Sequence, residues 1–482
     1  MNAGEKIDSL GAAKGAHSEA QDSGMSGTLD ASEAARFARF ARELDFDAIP
    51  QDVVTLAKEH LLDVLGIALA STTFDFGPVV LRAAQALGDG TQATAIGSGA
   101  RLPAALAALV NGVLAHGLDF DDTHIGAIYH ASAQAMAATF ASGEAQRATG
   151  REVLTAFIVA LEVGCRLATV GAGKLHARSF HPTALCGTFA SAAAAGRLSK
   201  LDQTALVSAL GLCGSMASGI LVSEKSWLKR LHPGWAAHSG LAAVALGHAG
   251  FRGPSTVFEG QRGFYAAHID SVPEGDALPS NGLGQHWQTL GIALKPYPCC
   301  HFIHAFVDAA LELRDQFALD DIERIECPLT PALHKIVAEP RERCIRPSDP
   351  YAALFSVPYA VAVAIARGRV DLAAFHDDPL DDPAVLAVAA RTWCTDDAQS
   401  DYPRHFPGEV VITLKDGRVL RSRKATSHGT PEWPLTRGEV ETKFLANAKR
   451  AISEVQARKL IDQIDSIEHA ASIDEILKLC IV

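Results

Sequence analysis

Between His116 and His130 the chain packs three histidines (His116, His124 and His130) and three aspartates (Asp119, Asp121 and Asp122) into one segment, Ala115-His116-Gly117-Leu118-Asp119-Phe120-Asp121-Asp122-Thr123-His124 followed by Ile125-Gly126-Ala127-Ile128-Tyr129-His130. Ionised side chains at that density repel one another, so a folded chain keeps them only where cations, hydrogen bonds or a ligand compensate. The segment lies between two alanine-rich helical patterns, and loops held by rigid helices are where catalytic groups tend to sit. It reads as the core of an active site. His130 is the candidate general acid/base, because neighbours can tune an imidazole around neutrality.

Cationic groups gather in four islands against an acidic background. They are Lys174/His176/Arg178/His181, Lys225/Lys229/Arg230/His232, Lys295 beside Pro296-Tyr297-Pro298, and Arg341/Arg343/Arg346. Converging, they would bind a small polyanion without making the protein basic, and carboxylates are the natural guests. Each island also has an ordinary explanation: Lys225/Lys229 at helical spacing suits a solvated face, and His181 before Pro182-Thr183 suits a helix end. Lys295 is more distinctive, since its prolines fix the backbone and can aim the ammonium. His181 at a helix N-terminus would stand where anions are favoured. No G-x-x-x-x-G-K-[ST] loop and no G-x-G-x-x-G in strand–helix context occurs, which leaves nucleotide-binding folds unsupported.

At 482 residues, two domains are the natural prior. The net charge of −12 argues against a broad basic surface for nucleic acid. Nine scattered cysteines without a C-x-x-C pair suit reduced, buried thiols of a cytoplasmic protein rather than a disulfide framework or a zinc site. No segment reads as a charge-free membrane span. Residues 1–28, polar and small, read as a disordered leader that is not a secretory signal.

The elements that must position these groups follow from periodicity. Apolar spacing of three and four predicts helices over Ser32–Leu44, Asp52–Ala70, Pro103–His116, Ser132–Gln146, Glu152–Val170 and Thr183–Leu198, with Ser132 as a cap. The run Ala190–Gly196 would let helices approach closely. Alternation then predicts strands over Asp321–Leu329 and Glu409–Leu414, the latter turning at Asp416-Gly417 into Val419-Leu420, with a helix over Tyr351–Arg367 between them. Helix resumes at Glu439. The expected fold is mainly α: a large all-helical domain (29–290 plus 428–482) with a smaller α+β lid domain (291–427) inserted before the C-terminal helices.

These islands, in this order, resemble the MmgE/PrpD family, which includes 2-methylcitrate dehydratase, cis-aconitate decarboxylase and iminodisuccinate epimerase. The resemblance rests on Ala115–Thr123, His181-Pro182-Thr183 with Gly187-Thr188, Lys229–Gly234, Lys295-Pro296-Tyr297-Pro298 with His304, Phe355–Tyr359, and Leu435 with Lys443-Phe444. It implies a homodimer, no metal or organic cofactor, and an active site at Asp119, Thr123, His130, His181, Lys229, Lys295 and Tyr359. In the decarboxylase branch the histidine precedes Pro-Ser and stands one residue nearer the threonine; here the order is Tyr129-His130-Ala131-Ser132.

The chemistry this implies moves a proton at carbon next to a carboxylate. Lys229, Lys295 and His181 would clamp the charge that develops. Asp119 would orient a neighbouring base, and Thr123 and Tyr359 would offer hydroxyls. A cofactor-independent lyase or isomerase of a small di- or tricarboxylate is expected, with dehydration of a 2-methylcitrate-like substrate first, then epimerisation of an iminodisuccinate type, then decarboxylation of cis-aconitate. Two rivals come from other classes: a Mg²⁺-dependent prenyl-diphosphate enzyme using Asp119-x-Asp121-Asp122, and a carboxylate-binding protein without catalysis.

Overall fold

The computed structural model describes residues 31–171, 173–222 and 226–482; the leader expected over 1–28 and Lys225 lie outside the described residues. Ser32 caps the first helix, α1 (Glu33–Glu43), by accepting from the Ala35 amide. There follow α2 (Gln51–Ser71), α3 (Phe76–Leu87), α4 (Ala104–His116), α5 (Ser132–Gln146), α6 (Gly150–Gly171), α7 (Pro182–Leu198), α8 (Gln203–Met216) and α9 (Leu228–His248). Six of these match the apolar periodicity to within two residues at either end. α3, α8 and α9 come in addition to the expected helices: α3 is amphipathic, α8 is apolar nearly all round, and α9 carries Pro233 inside it. Ser132 is not a cap: Ala131 occupies that position, and the Ser132 hydroxyl donates to Asp122.

Small residues make these helices cross at backbone distance. A Cβ on Gly234 of α9 would lie 2.3 Å from the Leu109 carbonyl oxygen of α4, and one on Gly112 would lie 2.6 Å from Gly234 Cα. Gly240 approaches Ser191 and Ala192 of α7 as closely, which is the use made of the Ala190–Gly196 run. A backbone atom cannot yield as a side chain can, so Gly234→Ala is expected to cost about 1–3 kcal/mol and lower the melting temperature by a few degrees. Gly438→Ala, whose Cβ meets nothing within 4 Å, is expected to leave the same scanning-calorimetry transition unchanged or slightly raised.

The second region is built on four strands, β1 (Ile322–Leu329), β2 (Thr392–Asp396), β3 (Gly408–Leu414) and β4 (Val419–Lys424), in the order β2-β1-β3-β4. β1 runs parallel to β2, with Ile325 opposite Thr392, and antiparallel to β3, with Ile325 opposite Ile412. The β3–β4 hairpin turns at Gly417, whose φ of 87° requires glycine. The edge strand β2 runs buried at Thr392, exposed at Trp393, half-buried at Cys394 and Thr395 and exposed at Asp396, and so shows no clear alternation to read. Helices α10 (His304–Leu313), α11 (Val357–Arg367) and α12 (Pro383–Ala390) pack with the sheet around a core running from Cys299 to Leu414. The expected helix Tyr351–Arg367 is broken at Ser356, whose side chain caps α11.

The chain then returns through α13 (Arg437–Ala448) and α14 (Glu454–Asp465) to the first core. Phe444 fills the space over Gly66 of α2, where a Cβ would meet it at 2.8 Å. The fold is thus mainly α, with a small sheet domain before the C-terminal helices. Gly150–Gly171 is long and apolar enough to cross a membrane, but it is buried inside the protein and pairs Glu162 with Arg166 within it. All nine cysteines are free thiols, eight of them buried.

Candidate active site

Helix α4 ends at His116, and the chain turns at once into the acidic segment. Arg230 of α9 donates to the Gly117 carbonyl at 2.7 Å, closing that helix end. Asp119 then takes a left-handed backbone at φ 52°, uncommon outside glycine and held only where surroundings demand it. The demand comes from two ammonium groups. Lys229, in the first turn of α9, donates to the Asp119 carboxylate; Lys295 donates to the Asp119 carbonyl at 2.7 Å and stands 3.6 Å from the same carboxylate. Lys295 reaches this point because Thr123 pairs with Ala293 and His124 with Ile292 in a two-residue antiparallel ladder.

Six residues separate Thr123 from His130, and a 3₁₀ turn at Ile125–Ala127 with Ile128 left-handed takes up that length. The His130 Nδ1 comes to 3.5 Å from the Thr123 hydroxyl, 3.6 Å from an Asp121 carboxylate oxygen and 2.8 Å from the Asp122 carbonyl. A carbonyl only accepts, so Nδ1 carries hydrogen and Nε2 keeps its lone pair in the neutral ring. The His130 amide donates to the Thr183 hydroxyl at 3.1 Å, tying α5 to the start of α7. His181, directly before α7, shares an Nδ1–Nδ1 hydrogen bond of 2.8 Å with His232, so at least one of the two rings is neutral.

A cavity of about 830 Å³ opens onto these groups. Asp119, Thr123, His130, His181, Lys229 and Lys295, all expected from the sequence, line it together. Tyr359 does not: it is buried in the lid core, and its hydroxyl donates to the Leu380 carbonyl at 3.3 Å. The tyrosine that lines the cavity is Tyr351, with Arg230 packed 4.8 Å over its ring. Both tyrosines lie in one apolar, helix-like stretch, and only the break at Ser356 separates the face that reaches the cavity from the one that does not. His176, Cys300 and Arg343 also line the cavity. Arg341 of the same island instead stacks on Trp393, 3.7 Å from the ring centroid, and donates to backbone carbonyls of Ala390 and Thr392.

The electrostatics are asymmetric. Burial opposes ionisation of Asp119, but Lys229, Lys295 and His116 outweigh it and hold its carboxyl well below the usual carboxylate range. Burial likewise opposes the Lys229 charge, and Asp119 overcomes it, so the ammonium persists. Burial, then His116, Lys295 and Lys229, push His130 well below the ordinary histidine value; burial, then His232 and Lys229, do the same to His181. Burial brings His124, His176 and His232 down to about 4. Lys229, Lys295, Lys335 and Arg343 against Asp119, Glu339 and Asp349 leave the cavity lining short of negative charge.

One consequence is measurable without substrate. Histidines held neutral when folded bind protons only on unfolding, so the unfolded state carries more protons below about pH 6.5 and stability falls with pH. Each fully shifted histidine contributes up to roughly 2 kcal/mol at pH 5. Asp63, raised by burial to about 6, works in the opposite direction for one group. Urea unfolding is expected to show a lower midpoint at pH 5.0 than at pH 7.5; equal midpoints would contradict the neutral histidine cluster.

The three aspartates diverge instead of forming one oxygen cluster. Asp119 faces Lys229 and Lys295, Asp121 takes His116 Nδ1 at 2.8 Å and 2.9 Å, and Asp122 serves the start of α5. Ligand atoms of His116, Asp119 and Asp121 do lie within 4.8 Å of one another, as do those of His116, His130 and His181. The two ammonium groups on Asp119 stand against a divalent cation there, which disfavours the diphosphate-enzyme alternative.

Comparison with known proteins covers nearly the whole chain. The chain is 29% identical over 452 residues to the cis-aconitate decarboxylase of Mus musculus, covering 90% of each, and 28% identical to that of Homo sapiens, covering 90% of this chain and 91% of the other. It is 26% identical to a cis-aconitate decarboxylase-like protein of Aspergillus oryzae, covering 94% of this chain and 98% of that protein. The MmgE/PrpD N-terminal domain matches residues 35–274 and the MmgE/PrpD C-terminal domain residues 297–469. The stretches that build the cavity fall inside these two matches, Lys295 just between them, and the chain belongs to the MmgE/PrpD family of lyases.

Proposed function

We propose that this chain is a decarboxylating lyase of a small unsaturated tricarboxylate of the cis-aconitate type, working without a metal or organic cofactor. The carrying observation is the pair of ammonium groups, half-buried Lys229 and buried Lys295, meeting at Asp119 beside His130 in a cavity short of negative charge. Two of the relatives named above are cis-aconitate decarboxylases and the third is described as decarboxylase-like, which favours this reading over the dehydration expected first from the sequence.

In the proposed step the bond between carbon and one carboxylate breaks and CO2 leaves. The electron pair moves through the adjacent C=C to the carbon beside another carboxylate, where Lys229 and Lys295 stabilise the charge spread onto oxygen. That carbon takes a proton from His130. A trianion in the cavity favours the imidazolium form, so His130 acquires this proton as substrate binds. One proton is consumed and one CO2 released per turnover.

One observation favours a second reading. The free-enzyme His130, neutral with Nε2 open, is equally a base, and a hydroxylated substrate presenting a C–H would then lose water instead. The test is proton NMR in deuterated buffer with cis-aconitate, 2-methylcitrate, citrate and iminodisuccinate, each with and without EDTA. Loss of CO2 from cis-aconitate with one deuteron incorporated, unaffected by EDTA, is expected. Water loss from 2-methylcitrate alone would establish the second reading, and inertness toward all four would overturn both.

A further inference from the structure

The acidic loop is held from behind by a helix that never touches the cavity. His60 and Asp63 stand one turn apart on the same buried face of α2. Asp63 takes the Lys443 ammonium at 2.7 Å and 2.9 Å, and Lys443 donates onward to the Phe120 carbonyl at 2.9 Å. His60 Nδ1 lies 2.7 Å from an Asp122 carboxylate oxygen. One helix face therefore grips the loop at two residues, Phe120 and Asp122.

Asp122 is the junction between that grip and the reacting end. Its other carboxylate oxygen accepts from the amides of Ala131 and Ser132, both at 3.1 Å, and the Ser132 hydroxyl donates to the oxygen facing His60. Its carbonyl receives His130 Nδ1. Burial disfavours the Asp122 charge, and His60 first, then Ser132, overcome it. We propose that His60 is a positioning residue: by anchoring Asp122 it fixes which nitrogen of His130 carries hydrogen and aims Nε2 at the substrate carbon. His116, His181, Lys229 and Lys295 also face the His130 ring; at Nδ1 the Thr123 hydroxyl and an Asp121 carboxylate oxygen stand 3.5 Å and 3.6 Å away, and the Asp122 carbonyl, at 2.8 Å, is the nearest acceptor.

This inference rests on the reading of His130 as the proton-transfer group. Two polar substitutions test it. Asparagine places an amide near the position of imidazole Nδ1, the nitrogen that stands 2.7 Å from Asp122, whereas glutamine places it near Nε2. H60N is expected to keep kcat within about threefold of the wild type, and H60Q to lower kcat tenfold or more with KM changed less than twofold. Melting temperatures of both, with Kd for citrate by calorimetry, separate this from a loss of folding: H60Q must still melt cooperatively and bind. Ser132→Ala, which trims Asp122 from its other side, is expected to lower kcat in the same direction by a smaller factor.

Wild-type kcat in H60Q, or equal losses in H60N and H60Q, would overturn the inference. So would a rise in KM that accounts for the whole effect. The substrate is whichever the wild type turns over in the NMR panel, so an error in the proposed function shows as an inactive wild type. An error in the positioning role shows only in the variants.

Discussion

His130→Ala is expected to lower kcat by a factor of 10² to 10⁴, the range for removing a positioned acid or base, while folding and citrate binding persist. The ring is buried at the cavity wall, and its amide, not its side chain, makes the bond to Thr183, so the backbone tie survives the change. The pH dependence of the wild type tells which role the ring plays. His130 of the free enzyme lies well below 6.5, depressed by burial and then by His116, Lys295 and Lys229. If it gives a proton to carbon, the active form is the imidazolium, and kcat/KM falls about tenfold per pH unit as pH rises through the neutral range. If it takes a proton from carbon, the neutral ring is active, and kcat/KM stays flat through neutrality and falls only on acidification below pH 6. Decarboxylation predicts the first profile and dehydration the second. Wild-type kcat in His130→Ala would remove His130 from either scheme.

Lys295→Met is expected to reduce kcat/KM by 10² to 10³, the usual consequence of removing one donor aimed at developing charge. The substitution keeps the length of the stem and deletes the ammonium that binds the Asp119 carbonyl and faces its carboxylate. Part of any loss could reflect the disturbed ion cluster, since Asp119 would keep only Lys229 as its charged partner. Asp119→Asn added to Lys295→Met separates the two: the double variant is expected to recover melting temperature, because an uncompensated buried charge is gone, but no activity. Recovery of activity in the double variant would show that Lys295 serves the fold alone. Urea melts and steady-state kinetics on the three proteins decide it.

The helices around the site were legible because their apolar residues recur at three and four positions, a signal that needs only near neighbours. Charge showed only that cationic islands could converge on the acidic loop, since carboxylates crowded into an apolar chain demand cations; which residues of those islands, His181, Lys229 and Lys295 among them, belong to one site came from the resemblance. The wrong tyrosine shows the limit. Tyr351 and Tyr359 share a stretch of similar composition, and a cap at Ser356 decides that one faces the cavity and the other the sheet. Ser132 fails as a predicted cap for the same reason, since Asp122, ten residues earlier, already occupies the helix end.

What the sequence by itself determined is the inventory: helical layers closed by small residues, a hairpin sheet, an acid–imidazole loop and the cations to match it. What only the tertiary structure decided is which of them meet. The two bonds that make Asp119 the centre of the site join residues 110 and 176 positions apart, and His60 reaches Asp122 from a helix with no chemistry of its own. Periodicity and side-chain type act over a few residues, whereas the nitrogen of His130 that carries its hydrogen is set by a carbonyl that packing alone delivers.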